Sequence, residues 1–123
     1  MAKALLLGPA LEEGLRFIEL LKKEGIAVSA AVWHRPPMNT WRLSIVSPTY
    51  ETGGLERLYS TTRAVFNKAV PELEMNEDDI YFPRPKTNFA KDLRRHHSGS
   101  KNVSSTLYDM EGDAHEAFVY FAK

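Results

Sequence analysis

Four histidines supply the most versatile chemistry in this 123-residue chain, because imidazole acts both as a general base and as a metal ligand. His96 and His97 are adjacent, so they lack the i, i+4 spacing of a helical zinc motif. His34 ends a predicted strand, where we expect it to be exposed to solvent. The carboxylates show no metal-binding pattern either, so the sequence predicts no metal site and no cofactor.

A histidine with nearby carboxylates occurs close to the C-terminus, where His115 lies near Asp109 and Asp113. One hypothesis is a hydrolase in which His115 acts as a general base beside one of these carboxylates. Other catalytic signatures are missing from the sequence, which has no G-x-S-x-G elbow, no complete phosphate-loop motif and no cysteine. We therefore favour a protein that is not an enzyme.

The most unusual stretch is residues 84–101, which holds six basic side chains and a single acidic one, Asp92. Cations bind phosphate and planar rings stack on bases, so this basic segment is a hypothetical interface for nucleic acid or a phosphate ligand. Its candidate binding residues are Arg84, Lys86, Lys91, Arg94, Arg95, His96, His97 and Lys101. The alternative interpretation is a solvated surface that balances the five acidic residues of segment 72–79, which we expect to be a solvated loop.

Composition excludes a basic protein that binds polyanions over its whole surface, because sixteen Lys and Arg balance sixteen Asp and Glu. With 43% hydrophobic and 26% charged residues, the chain is typical of a single globular domain over residues 1–123. No apolar stretch approaches the ~20 residues that span a bilayer. We expect a soluble cytoplasmic protein with no membrane association.

Two amphipathic helices are predicted from apolar residues that recur every three or four positions. The first covers residues 9–24 and ends at Gly25, which fits a left-handed C-terminal cap. The second covers residues 55–69 and ends before Pro71. The apolar positions are Leu11, Leu15, Ile18 and Leu21 in the first helix and Leu55, Leu58, Tyr59, Thr62, Val65, Phe66 and Ala69 in the second, with Phe89 and Leu93 anchoring a weaker helix at residues 88–95.

Five strands are predicted from alternating or continuous apolar runs. They cover residues 26–34, 41–47, 80–82, 103–110 and 115–121, the first two and the last two forming hairpins. Trp33 and Trp41 flank the loop of the first hairpin, so we expect them to be cross-strand neighbours. Pro83 and Pro85 limit the third strand or confine it to a sheet edge, and Asp79 is the one acidic residue of its segment at a strand start.

Residues 30–33, Ala-Ala-Val-Trp, are followed after a loop by Trp-Arg-Leu-Ser-Ile-Val-Ser-Pro at residues 41–48. This hairpin resembles a pattern in small uncharacterised bacterial proteins, in which a leading helix precedes it. Their ending is similar to Glu-Ala-Phe-Val-Tyr at residues 116–120. The resemblance implies a bacterial origin and supplies no activity, cofactor or site.

Hairpins rather than regular alternation of strands and helices predict an α+β fold, with a mainly antiparallel sheet of about five strands and two main helices on one face. Exposed sheet edges favour pairing with another chain. Our leading hypothesis is therefore a non-enzymatic protein that works through protein contacts, as a homodimer joined by a sheet edge or by the apolar face of the last hairpin. The nucleic-acid and hydrolase hypotheses are the alternatives.

Overall fold

The computed structural model describes residues 9–35, 41–69, 73, 75, 77–85, 93, 95, 99, 101–108 and 114–122, with the backbone alone at residues 9–10, 101–108 and 114–116. Within these residues the helices are α1 (Pro9–Lys23), α2 (Thr49–Thr52) and α3 (Gly54–Lys68). The strands are β1 (Ala30–Arg35), β2 (Arg42–Val46), β3 (Ile80–Tyr81), β4 (Lys101–Tyr108) and β5 (Ala114–Ala122). A 3-10 turn, Glu77–Asp79, directly precedes β3.

The strands form one sheet in the order β3-β2-β1-β5-β4. β1 pairs antiparallel with both β2 and β5, and β4 pairs antiparallel with β5. β2 and β3 are parallel, so the sheet is mixed. Parallel neighbours need a crossover connection, and α3 provides it between β2 and β3. The predicted α+β class is confirmed.

α1 ends where the sequence predicts, because Gly25 adopts a φ angle of 88° that favours glycine. The N–H of Gly25 donates to the carbonyl of Lys22, and the N–H of Ile26 donates to the carbonyl of Leu21. These two bonds form a Schellman cap. Ile26 is part of this cap and not of a strand. The first strand was predicted to start at residue 26, and it begins at Ala30.

Both main helices expose some positions of their predicted apolar faces. The buried positions are Gly14, Phe17, Ile18 and Leu21 in α1 and Leu58, Thr62 and Val65 in α3. Leu15, Leu55 and Tyr59 belong to these predicted faces but are 46%, 39% and 40% exposed. In α1, the close approach of Gly14 to the sheet sets the rotation of the helix and directs Leu15 away from the core.

The sheet contributes to a separate apolar cluster on each of its faces. On one face, Ala31, Trp33, Leu43, Ile45 and Tyr120 pack in the same cluster as the buried side chains of α1 and α3. On the other face, Ala30, Val32, Val46, Ala117, Val119 and Ala122 pack with Leu93. β5 has a register shift against β1 between Ala31 and Val32, which accommodates an extra residue in β5.

The link between β3 and β4 is described only in part. Leu93 and Arg95 are helical, and Leu93 is fully buried, which agrees with its predicted role as an anchor. Phe89, residues 1–8 and the predicted turn at residues 111–113 lie outside the described residues. None of the helices in the described ranges is both long enough and apolar enough to cross a membrane.

Candidate functional site

Three of the predicted binding residues in basic segment 84–101 are described: Arg84, Arg95 and Lys101. Arg84 is exposed, and its guanidinium carbon lies 5.6 Å from the ring centroid of Tyr50 in α2. A hydrogen bond to the Tyr50 side chain raises the pKa of Arg84. Arg95 is exposed and Lys101 begins β4. Lys86, Lys91, Arg94, His96 and His97 lie outside the described residues, so the nucleic-acid hypothesis stays a prediction.

His34 is buried, which contradicts its predicted exposure. The physical reason is its place in the sheet, because β1 has neighbours on both sides and His34 pairs with Arg42 of β2 and Ala117 of β5. The Nε2 atom of His34 is hydrogen-bonded to the Oγ atom of Ser44 at 2.6 Å. The serine is fully buried, so we assign this pair to the interior of the fold and not to a substrate site.

Replacing Ser44 by alanine is expected to lower the free energy of unfolding by about 1–3 kcal/mol, because the buried imidazole of His34 loses a hydrogen bond. Urea denaturation followed by tryptophan fluorescence measures this loss. Ser60→Ala is the matched control, because Ser60 is exposed on α3 and alanine favours a helix by only a few tenths of a kcal/mol. Equal stability of the two variants would show that the His34–Ser44 bond contributes nothing.

The hydrolase hypothesis depends on residues near the last hairpin. His115 lies on β5 in register with Leu107 of β4. Asp109 and Asp113, its predicted partners, lie outside the described residues, so this hypothesis also stays a prediction. Among the side chains that the structure describes, no three histidine, aspartate or glutamate residues come together in a way that could hold a metal ion.

A cleft of about 440 Å³ opens at the amino-terminal ends of the parallel strands β2 and β3, and we call it the β2–β3 cleft. Its walls come from the start of β2, from one side of α3, and from the 3-10 turn together with β3. The lining residues are Trp41, Arg42, Tyr59, Thr62, Arg63, Glu77, Asp78, Asp79, Ile80 and Tyr81. Segment 72–79 is therefore not only a solvated loop, since its last three residues form part of a concave surface.

Carboxylates occupy one wall of the β2–β3 cleft. Arg63 of α3 approaches Glu77, with Nε 4.0 Å from Oε2, and both side chains are exposed to solvent. An exposed ion pair of this kind contributes ~0–1 kcal/mol. Burial raises the pKa of Asp79 above its usual 3.8, and the negative charge of the neighbouring Asp78 raises it further. The ionised form of Asp79 is therefore disfavoured by its surroundings.

Tyr59 contributes an aromatic ring to the same cleft from α3. The rings of Tyr59 and Phe82 meet edge to face, with centroids 5.1 Å apart and an interplanar angle of 83°. The backbone of Phe82 is also hydrogen-bonded to the Tyr59 hydroxyl, and burial raises the pKa of Tyr59. These contacts hold the Tyr59 ring in one orientation at the cleft wall.

Trp41 lies at the β2 side of the cleft and not beside Trp33. The register of the first hairpin pairs Trp33 with Leu43, so the predicted contact between the two tryptophans is wrong. Because His34 pairs with Arg42 in an antiparallel register, Arg35 comes to lie opposite Trp41 at the loop end of the hairpin. The guanidinium carbon of Arg35 accordingly lies 6.0 Å from the ring centroid of Trp41.

A second cleft of about 430 Å³ lies between the C-terminal halves of α1 and α3. Its rim carries acidic and basic side chains. The lining residues are Arg16, Glu19, Leu20, Lys23, Glu24, Val65, Lys68 and Ala69. Because acidic and basic side chains are interspersed along α1 at this rim, this cleft favours no single class of charged ligand.

The two edges of the sheet differ in length and in composition. β3 forms one edge with two residues and is followed by Pro83 and Pro85, as predicted from the prolines. β4 forms the other edge with eight residues and contains no proline. In the described part of the chain, β4 has β5 as its neighbour on one side, and no other strand pairs with it.

Sequence reasoning identified Asp79 as the acidic residue at a strand start but missed the rest of the β2–β3 cleft. Trp41, Arg42 and Tyr81 were assigned to strands by their alternation, which says nothing about a cleft. The sequence feature that could have indicated this cleft is the acidic stretch at residues 77–79, followed closely by the aromatic Tyr81 before Pro83. No family model, no curated protein and no solved structure matches this chain, so its resemblance to small bacterial proteins stays a prediction.

Proposed function

We propose that this protein acts through self-association, as a homodimer in which the β4 strands of two copies pair antiparallel across a two-fold axis. The observation that supports this proposal is the difference between the sheet edges. β3 is short and is followed by prolines, which prevent strand addition, whereas β4 offers eight residues without proline. Pairing would join two five-stranded sheets into one continuous sheet.

The sequence of β4 suits pairing with a second copy of itself. Lys101 is its only charged residue and lies at its first position, so the middle of the strand lacks the charges that commonly protect natural edges. Antiparallel pairing centred on Ser105 places Val103 opposite Leu107 of the other copy. It also separates the two Lys101 residues by about 27 Å, at about 3.4 Å per residue. Parallel pairing would bring the two lysines together, so the antiparallel arrangement is favoured.

The expected affinity is moderate. Pairing centred on Ser105 overlaps residues 102–108 and forms up to about eight main-chain hydrogen bonds, each contributing a net ~0.5–1.5 kcal/mol. This total of about 4–12 kcal/mol is opposed by an association cost of about 4–15 kcal/mol. The dimer is therefore expected to have a dissociation constant near the micromolar range or weaker, and the mass of the particle has to be measured from about 1 µM to about 1 mM.

The test uses proline at two adjacent positions, Ser104→Pro and Ser105→Pro. Successive N–H groups of a strand point in opposite directions, so one of these N–H groups faces β5 and the other faces away from the sheet. Proline at the position facing β5 removes a hydrogen bond of the fold and lowers the melting temperature. Proline at the outward position leaves the melting temperature close to that of the unchanged protein and abolishes the dimer.

Ser104→Ala and Ser105→Ala are the controls, because they remove the hydroxyl groups and keep both N–H groups. Both are expected to form the dimer, as measured by light scattering or sedimentation. The proposal is wrong if the unchanged protein is a monomer at about 1 mM. It is also wrong if the proline variant with unchanged melting temperature still forms the dimer.

A further inference from the structure

The β2–β3 cleft lies at the edge of the sheet opposite β4, so it is available in a dimer joined through β4. Its volume of about 440 Å³ lies within the range of about 300–1,000 Å³ that is typical of small-molecule pockets. Three separate elements contribute side chains to it. A surface built from three elements of the fold keeps its shape better than a single loop does.

Three carboxylates and two guanidinium groups line this cleft, and the carboxylates are consecutive, at residues 77–79, so one wall of the cleft is acidic. Of the two guanidinium groups at its wall, that of Arg63 is paired with Glu77 and is largely exposed. Asp78 and Asp79 are adjacent, and Asp79 is half-buried. The carboxylate of Asp79 is disfavoured by burial and by repulsion from Asp78, and the attraction of a cation bound beside it would offset both effects.

Aromatic rings around these carboxylates narrow the ligand class to organic cations. Trp41, Tyr59 and Tyr81 line the cleft together with Asp79. Aromatic rings attract ammonium and guanidinium groups, and they also contact the alkyl chain that carries such a group. Tyr59 and Tyr81 are 40% and 46% exposed, so parts of both rings remain free to contact a ligand.

We propose that the β2–β3 cleft binds a basic organic group, an alkylammonium or a guanidinium, with Asp79 as its counter-ion and the rings of Trp41, Tyr59 and Tyr81 as its walls. Such a group occurs in free amines and in the lysine and arginine side chains of peptides. Both sources present the same chemistry to the cleft. This binding function is separate from the proposed dimer and does not depend on it.

The binding experiment uses three probes of defined charge. They are Nα-acetyl-lysine amide, which keeps its side-chain ammonium group, the peptide acetyl-Gly-Gly-Lys-Gly-Gly-amide, and Nα-acetyl-glutamate amide as an anionic control. Titration is followed by chemical shifts of the backbone amides of residues 41–42 and 77–81. Both lysine probes are expected to bind and the glutamate probe is not. Tighter binding of the peptide identifies a protein side chain as the natural source, and equal binding identifies a free amine.

Asp79→Asn tests the counter-ion, because it removes the charge and keeps the shape of the side chain. The affinity for both lysine probes is expected to fall about tenfold, the effect of losing one partly screened ion pair. Glu19→Gln is the matched control, since it removes one negative charge from the exposed surface of α1 and is expected to leave the affinity unchanged. An equal loss in the two variants, or no binding of either lysine probe, overturns the proposal.

The pH dependence of binding gives an independent readout. The pKa of Asp79 is above 3.8, so the affinity is expected to fall on acidification with a midpoint above that value. The other ionisable or charged side chains that line the cleft are Arg42, Tyr59, Arg63, Glu77, Asp78 and Tyr81, and all of them are unchanged in Asp79→Asn. In Asp79→Asn, the part of the pH dependence that comes from Asp79 is therefore expected to be lost. An unchanged midpoint in this variant would contradict the role of Asp79.

Asp79→Asn is not expected to destabilise the fold, so a loss of binding in this variant reports on the counter-ion and not on unfolding. A carboxyl group whose pKa is raised by folding destabilises the folded state when it is ionised, and this cost is present above the folded pKa and absent below the unfolded pKa. The variant is therefore expected to be at least as stable as the unchanged protein at pH 7. The difference in melting temperature is expected to vanish as the pH falls below 3.8.

Discussion

Replacing Gly14 by alanine is expected to lower the free energy of unfolding by about 1–3 kcal/mol, the usual cost of overpacking a core. The result runs against helix propensity, because alanine is better than glycine inside a helix by ~1 kcal/mol. A Cβ atom at position 14 would lie 2.7 Å from Nε1 of Trp33 and still closer to the hydroxyl of Tyr120. Both neighbours are buried on the sheet and are hydrogen-bonded to each other, so neither can move away easily.

Thermal or urea unfolding of Gly14→Ala measures this effect, and the double variant Gly14→Ala with Tyr120→Phe tests its cause. Removing the Tyr120 hydroxyl takes away the atom nearest to the new methyl group. The cost of Gly14→Ala is therefore expected to be smaller in the Tyr120→Phe background, with a coupling of about 0.5–3 kcal/mol between the two sites. A stabilising effect of Gly14→Ala, or strict additivity of the two changes, would show that α1 does not approach the sheet this closely.

The contact between Gly14 and Tyr120 explains why the extent of α1 could be predicted from the sequence and its buried face could not. The helix and its end depend on local signals, the spacing of apolar residues and the glycine at position 25. The rotation of the helix depends on Gly14 meeting Tyr120, which lies in the last strand. Periodicity alone gave Leu15 the same weight as Ile18, although Leu15 is 46% exposed and Ile18 is fully buried.

The sheet shows the same division between local and long-range information. Strand positions and the short β3 edge followed from alternation and from Pro83 and Pro85. The parallel pairing of β3 with β2 depends on the path of α3 across the sheet, which alternation does not encode. The burial of His34 likewise depends on β5, which comes from the other end of the chain and completes the environment of β1.

The β2–β3 cleft was the least predictable part, because its walls come from three segments of the chain. Asp79 could be assigned to a strand start from its own neighbours. Its position near Trp41 and Tyr59 requires both the parallel strand pair and the packing of α3 on the sheet. The raised pKa of Asp79 is a consequence of this assembly and has no signature in the acidic segment itself.

Tyr120 connects α1 to the sheet through its hydroxyl group. The Nε1–H of Trp33 donates to this hydroxyl at 2.8 Å, and the hydroxyl in turn donates to the backbone carbonyl of Leu11. Tyr120→Phe is expected to lower the free energy of unfolding by about 1–3 kcal/mol at pH 7, mainly because the buried indole N–H of Trp33 loses its acceptor. Tyr81→Phe is the matched control, since Tyr81 is 46% exposed and the same change there has little effect on stability.

The pH dependence of this effect identifies burial as its cause. Burial raises the pKa of Tyr120 from 10.0 to about 12, although hydrogen bonds from Trp33 and from the backbone of Leu15 lower it. The unfolded chain therefore releases the phenolic proton near pH 10 while the folded protein keeps it. The stabilisation by Tyr120 is complete below pH 10 and is lost as the pH rises toward 12.

Urea denaturation of the unchanged protein and of Tyr120→Phe at a series of pH values is expected to show that the difference in their free energies of unfolding shrinks between pH 10 and pH 12. Tyr59 also has a raised pKa, but it is present in both proteins and cancels in the difference. Parallel stability curves from pH 10 to pH 12 would mean that the Tyr120 hydroxyl is in contact with water.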